Sequence, residues 1–392
     1  MTGTYLVTVS GLDRVGVGAE LFYALASLEG RGATLRDVAQ ITIRGSLVLC
    51  AEVAVEGGLD VADIHAALGA RHITGEGIGV TVEAVEESSA AAGRLLLVTL
   101  LAPAISAAHL SAVFAQIAAA SATCERIVHL ASYPVDCYEL VVRGEDHDAL
   151  RVVLADAAAS VGLDLAVQRA GLHRRAKHLV VMDADSTLLR DEVIDLLAES
   201  CGRAEEVAAI TAAAMAGELD FAASLAARVA LLEGLPASVL DDVRAKLRLT
   251  PGARTLLRTL SRLGYVAAVV SGGFVEVLEP LLAELGVPYL AANRLEIANG
   301  VLTGRLVGDI VDRAGKAAAL ERFAAEVGVP LEQTVAVGDG ANDIDMISVA
   351  GLGIAFNAKA VVREHADAAL SVPYLDAVLY FLGISREEID TP

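Results

Sequence analysis

The sequence predicts an α/β protein: a Rossmann-type parallel sheet core with a small helical cap, preceded by two ferredoxin-like βαββαβ units. Three observations predict it. In the C-terminal half, apolar runs of strand length each end in a polar or glycine-rich turn, and helical spacing follows. An unusually long helical stretch separates the first two of these strands. In the first 170 or so residues a short set of motifs occurs twice in the same order.

The first core strand is Val180-Val181-Met182, which delivers Asp183-Ala184-Asp185-Ser186-Thr187 to a turn. Alternate strand residues share a face, so an Asp-x-Asp at the carboxyl end of a strand aims both groups into one crevice. Crowded carboxylates repel unless a cation lies between them or one holds a proton. The pair therefore suggests a nucleophile beside an acid, and phosphoryl transfer through an aspartyl phosphate. The plainer reading is a turn in which Asp185 caps the next helix.

Three later segments supply further parts. Val266 to Val270 leads into Ser271-Gly272-Gly273-Phe274, where a hydroxyl and unhindered N–H groups meet the start of a helix, a cradle for phosphate. Lys316 stands at a small-residue helix start, Arg313-Ala314-Gly315-Lys316-Ala317, where it can neutralise developing phosphate charge, although most lysines are solvated surface charges. Thr334 to Gly338 ends in Asp339-Gly340-Ala341-Asn342-Asp343, and oxygen-only ligands in this number favour magnesium over zinc.

Across roughly Lys177 to the C-terminus these residues resemble the haloacid dehalogenase (HAD) superfamily, and within it the phosphoserine phosphatases, with all four motifs in family order. The resemblance implies a HAD-like core in which Asp183 is the nucleophile and Asp185 the general acid and base. It implies magnesium held by Asp183, the Asp185 backbone carbonyl and Asp339, with Asp343 behind them. Ser271, Gly272 and Lys316 would hold the phosphoryl oxygens of phosphoserine.

Asp183 and Ser271 are 88 positions apart, far more than one strand–helix–strand unit needs. The surplus, about residues 191–249, reads as a helical cap that excludes water and selects the ligand. By the same resemblance Arg228 pairs with the substrate carboxylate and Glu192 with its ammonium, and Met215, Phe221 and Asn342 face the ligand. A guanidinium grips a carboxylate through two hydrogen bonds, which suits the first pairing. Read without the resemblance, Glu192 is an acid at a helix start, Arg228 a surface charge, Met215 and Phe221 cap core, and Asn342 a turn former.

In the repeat, Leu6-Val7-Thr8-Val9 recurs as Leu97-Val98-Thr99-Leu100, Ala33-Thr34 as Ala122-Thr123, and Cys50-Ala51-Glu52-Val53 as Cys137-Tyr138-Glu139-Leu140. Each copy reads as βαββαβ. Such units resemble ACT domains, which bind amino acids or other small effectors. In the first copy the turn with Asp13, Gly16 and Gly18 is the candidate effector site, serine the natural effector, and a glycine-rich turn without a ligand the plain alternative. The matching turn, Ala102 to Ala107, has no glycine. The expected domains are residues 1–90, 91–172 and 177–392, and ACT-like sheets joined edge to edge predict a homodimer.

A net charge of −21 argues against nucleic acid, which needs a basic patch. The four cysteines, Cys50, Cys124, Cys137 and Cys201, fall in no close pair and suit a reducing cytoplasm. Leu95 to Cys124 carries no formal charge, but Pro103 interrupts it and the repeat divides it into a strand and a helix, so no membrane span is expected. The predicted function is a magnesium-dependent phosphoserine phosphatase with two regulatory domains, completing serine biosynthesis. The alternatives are a phosphatase or phosphotransferase acting on another small ester, and a non-catalytic amino-acid sensor.

Overall fold

The computed structural model describes residues 3–70, 77–85, 93–171, 174, 176–215 and 219–390. The chain divides into two compact units, Met1–Ala91 and Ala92–Pro392.

The first unit runs β1 (Gly3–Leu12), α1 (Val17–Glu29), β2 (Ala33–Ile43), β3 (Ser46–Val55), α2 (Val61–Gly69), β4 (Ile78–Val85), in sheet order β2-β3-β1-β4. Alternation in β3 buries Leu47, Leu49, Ala51, Val53 and Val55 on one face. That face packs with Leu21 and Leu28 of α1 and Ile64 and Leu68 of α2. Asp60 caps α2 through a reciprocal pair of hydrogen bonds with Asp63.

The second unit opens with β5 (Arg94–Ala102), α3 (Ala107–Ala119), β6 (Thr123–Ala131), β7 (Asp136–Gly144), α4 (His147–Val161) and β8 (Asp164–Arg169), the same βαββαβ order. Its strands lie β6-β7-β5-β8, matching the first unit position for position. The uncharged stretch thus becomes β5, α3 and the start of β6. Among the described residues, no helix is long and apolar enough to cross a membrane.

These strands do not form a separate sheet. They extend that of the core, which among the described residues has eleven strands in the order β12 (Val301–Val307), β11 (Tyr289–Ala298), β10 (Val266–Phe274), β9 (Leu179–Met182), β13 (Thr334–Gly338), β14 (Gly353–Phe356), β15 (Ala368–Leu370), β8, β5, β7, β6. The seam is a single antiparallel bridge, Ala368 of β15 (Ala368–Leu370) against Ala166 of β8. Buried Asp164 reinforces it, accepting from the Ser371 N–H at 2.6 Å and the Ser371 hydroxyl at 2.7 Å.

The centre of the core is parallel: β10 (Val266–Phe274), β9 (Leu179–Met182), β13 (Thr334–Gly338) and β14 (Gly353–Phe356). Strand β9 is buried on both faces, Val180 and Met182 into one apolar cluster, Leu179 and Val181 into another. Four helices, α5 (Val193–Ser200), α6 (Ala204–Met215), α7 (Phe221–Ala230) and α8 (Val239–Lys246), form the cap. Its two connections meet at a Leu189–Leu249 bridge and an Arg248–Asp191 ion pair of 2.5 Å. The chain continues through α9 (Ala253–Arg262), α10 (Val275–Glu284), β11 (Tyr289–Ala298), β12 (Val301–Val307) and α11 (Arg313–Val327). The β11–β12 hairpin props the cap: Gly234 N–H donates to Leu302 at 2.9 Å, and Leu302 N–H to Leu235 at 2.8 Å.

Candidate active site

Every candidate group on the core lies at the carboxyl end of a parallel strand or at the helix start beside it. Asp183 follows β9, and its N–H donates to the Val337 carbonyl of β13 at 2.9 Å, which sets it beside Gly338 and Asp339. The chain then turns sharply through Ala184–Leu188, with Ser186 left-handed at φ 59°. Thr187, quoted in the motif but given no role there, donates to Asp339 Oδ1 at 3.2 Å and ties the two aspartate turns together.

Lys316 is fully buried in the first turn of α11, whose start is fixed by Asp312 accepting from the Gly315 N–H at 2.8 Å. Its ammonium lies 2.8 Å from Asp183 Oδ1 and 2.7 Å from Asp343 Oδ1. Burial by itself would lower the Lys316 pKa; the two carboxylates outweigh it and hold the ammonium charged. The second oxygen of Asp343 accepts from the N–H groups of Asp339 and Gly340 at 3.1 and 2.9 Å. Asp343 therefore shapes the loop and anchors Lys316. Its close approach needs Gly338, where a Cβ would stand 2.5 Å from the Asp343 carboxyl carbon.

Oxygens of Asp183, Asp339 and Asp343 all lie within 4.8 Å of one another, a hard-donor cluster that could hold a metal. Burial raises the carboxyl pKa of Asp183, Asp339 and Asp185. Asp183 is raised further by Asp343 and opposed by Lys316. Asp339 is pushed up to about 6, with Asp343 adding to burial. Asp185 is pushed up to about 7 by burial and then by Glu192. A carboxyl raised in this way takes up a proton more readily than a free one, which suits a general acid. Asp185 Oδ1 also accepts from the Val193 N–H at 3.1 Å, so it caps α5 as well as facing the crevice. Its other oxygen approaches the Gly273 α-carbon, 3.2 Å from where a Cβ would be.

The sequence ends its strand at Val270, but β10 continues irregularly to Phe274, with the pairing to β11 shifting between Val270 and Phe274. Ser271 is buried and its Oγ accepts from the Gly273 N–H at 2.8 Å. Phe221 of the cap lies against this loop: a Cβ on Gly272 would stand 3.3 Å from its ring. Glu192, just before α5, accepts from the Ser186 hydroxyl at 3.0 Å. Half-buried Arg228 sits in the field of Glu192, Asp195 and Asp185. Asn342 lies in the turn after Gly340, its Oδ1 near the Gly340 α-carbon. The Met215 side chain lies outside the described residues. Asn293, which sequence reasoning did not single out, is buried beside the Gly272 carbonyl. Its signal is the same as for the others: a polar residue at the end of an apolar run, Tyr289 to Ala292.

In the first unit, the Asp13 N–H donates to the Gly45 carbonyl at 2.8 Å. Gly16 caps α1 at φ 101°, and among the described residues nothing crowds the Gly18 α-carbon.

A buried lysine between two aspartates, a second pair of acids and a glycine-rich loop at strand ends under a helical cap fit a hydrolase of the haloacid dehalogenase type. The model for haloacid dehalogenase-like hydrolases matches residues 180–348, and ACT-domain models match 4–74 and 96–168. The chain is 52% identical to phosphoserine phosphatase of Streptomyces coelicolor over 99% of this chain and 94% of the relative. It is 50% identical to phosphoserine phosphatase SerB2 of Mycobacterium tuberculosis over 98% and 94%. A solved structure of a phospho-aspartyl intermediate analogue of phosphoserine phosphatase is 43% identical, with a TM-score of 0.50, covering 52% of this chain and 98% of that one. The chain belongs to the phosphoserine phosphatase family.

Proposed function

We propose that the protein hydrolyses O-phospho-L-serine to L-serine and phosphate through an aspartyl phosphate, an acyl phosphate formed on Asp183. The observation that carries this is the convergence of Asp183, Asp185, Lys316 and Asp339 in one crevice beside Ser271 and Gly272. In the first step an Asp183 oxygen bonds to phosphorus as the bond to the serine oxygen breaks, and Asp185 gives that oxygen its proton. In the second, Asp185, now a carboxylate, takes a proton from water. The water oxygen bonds to phosphorus, and Asp183 leaves. Lys316, Ser271 and the N–H groups of the loop hold the phosphoryl oxygens.

The oxygen-only donor set fits magnesium, held by Asp183, Asp339 and the Asp185 carbonyl with Asp343 behind them; bound there, it would neutralise charge on the phosphoryl group. In the cap, Arg228 takes the substrate carboxylate and Glu192 its ammonium, while Phe221 and Asn342 bound the ligand. A reaction on a different small ester would leave turnover indifferent to Arg228 and Glu192. We further read residues 1–90 and 91–172 as regulatory domains binding an amino-acid effector such as serine near Asp13, Gly16 and Gly18, in a cytoplasmic homodimer. The two ACT-domain matches support an amino-acid effector.

The mechanism is tested by acid-quenching the enzyme during turnover of radiolabelled phosphoserine. Label should be recovered on the Asp183 peptide; label released only as free phosphate, with none trapped at any quench time, would contradict it.

A further inference from the structure

We infer that Asn293 is a positioning residue for phosphoryl transfer, setting the direction of the phosphate-binding donors on two separate loops; this rests on the reading of Ser271 and Lys316 just given. Asn293 is 1% exposed and comes from β11, outside the loops that carry the reacting groups. Its Nδ2 donates to the Gly272 carbonyl at 2.8 Å, and its Oδ1 accepts from the Val311 N–H at 2.8 Å. The amide cannot be turned over, because the carbonyl needs a donor and the N–H an acceptor.

Each bond has a consequence. The carbonyl of Gly272 and the N–H of Gly273 belong to one planar peptide and point in opposite directions. Holding the carbonyl at Asn293 therefore turns the Gly273 N–H to the other side, where it donates to Ser271 Oγ at 2.8 Å. With an Oγ lone pair so occupied, the Ser271 proton is left to donate to a phosphoryl oxygen. At the other end, Val311 immediately precedes Asp312, the residue that starts α11 and accepts from Gly315 one position before Lys316. One buried amide thus sets the Ser271 hydroxyl and the start of the Lys316 helix against each other. Neither effect requires Asn293 to touch substrate.

The test compares the full-length protein with Asn293→Asp and Asn293→Ala. Aspartate keeps the acceptor for Val311 but faces the Gly272 carbonyl with an oxygen; alanine removes both bonds. Three quantities are read: the affinity for orthophosphate with magnesium by calorimetry, kcat and KM for phosphoserine, and the melting temperature. Misplacing prepared donors costs about ten- to a hundredfold, so both variants should bind orthophosphate about tenfold more weakly and lose kcat by at least as much. KM should change less, because Arg228 and Glu192 are untouched. Folded variants with parental phosphate affinity and kcat would overturn the inference, as would failure of both variants to fold, which would make the residue a structural one. If the parent binds phosphate but does not turn over phosphoserine, the substrate assignment fails while the phosphate affinities still decide the role of Asn293.

Discussion

At the residue scale, the site works by confining charge that would not otherwise tolerate confinement. Asp183 and Asp343 are held close by one buried lysine, and both acids of the Asp-x-Asp pair are raised by burial. Replacing Asp183 by asparagine removes the proposed nucleophile and leaves the shape, so turnover should fall by about a thousandfold or more with the fold retained, as circular dichroism and kcat would record. On the proposed reading, Arg228 meets a different part of the substrate. Charge-assisted bonds to a carboxylate are each worth about 1.5–3 kcal/mol, so Arg228→Ala should raise KM for phosphoserine about ten- to a hundredfold while leaving orthophosphate inhibition unchanged. Weakening of both together would mean that the arginine supports the phosphate site instead.

At the element scale, the decisive contact is cap on loop. Phe221 packs so near Gly272 that a methyl group there would meet the ring at 3.3 Å. Gly272→Ala should therefore hold the cap away and reduce kcat by about tenfold, and adding Phe221→Leu should restore part of the loss. A double variant no better than the single one would refute a steric cause. This scale also marks what the sequence could reveal. Asp183, Ser271 and Asp339 were legible because each follows an apolar strand, and the cap was legible from the 88 positions between the first two. Asn293 follows the same rule but lacks a neighbouring carboxylate or glycine to draw attention to it. The β11–β12 hairpin and the run of β10 beyond Val270 depend on pairing partners elsewhere in the chain, which local pattern does not encode.

At the scale of the whole molecule, the repeat made both βαββαβ units readable, yet nothing in it indicated that the second would share a sheet with the core. The seam depends on a three-residue strand, Ala368–Leu370, too short to carry a pattern, and on Asp164, which in sequence is an ordinary acidic residue. Asp164→Ala should cost the second unit about 2–3 kcal/mol by stranding the Ser371 N–H and hydroxyl, seen as a lower denaturant midpoint. Lys177 gives a pH signature in the same region. It donates to the Glu332 and Thr334 carbonyls at 2.5 and 3.4 Å, and burial lowers its pKa from 10.5 to about 8. The unfolded chain thus binds more protons between those values, so stability should rise with pH from about 8 upward and be flat with respect to this group below it. The melting temperature of the parent relative to Lys177→Met should follow that rise; a gap independent of pH would contradict it.

Metal-dependent phosphoryl transfer from phosphoserine to Asp183 is decided by phosphate release from L-phosphoserine with and without magnesium, for the parent and Asp183→Asn, beside other phosphate esters. Turnover should be selective for phosphoserine, require the metal and be lost in the variant. Turnover of other esters with none of phosphoserine would contradict the substrate, and release unaffected by Asp183→Asn would contradict the mechanism.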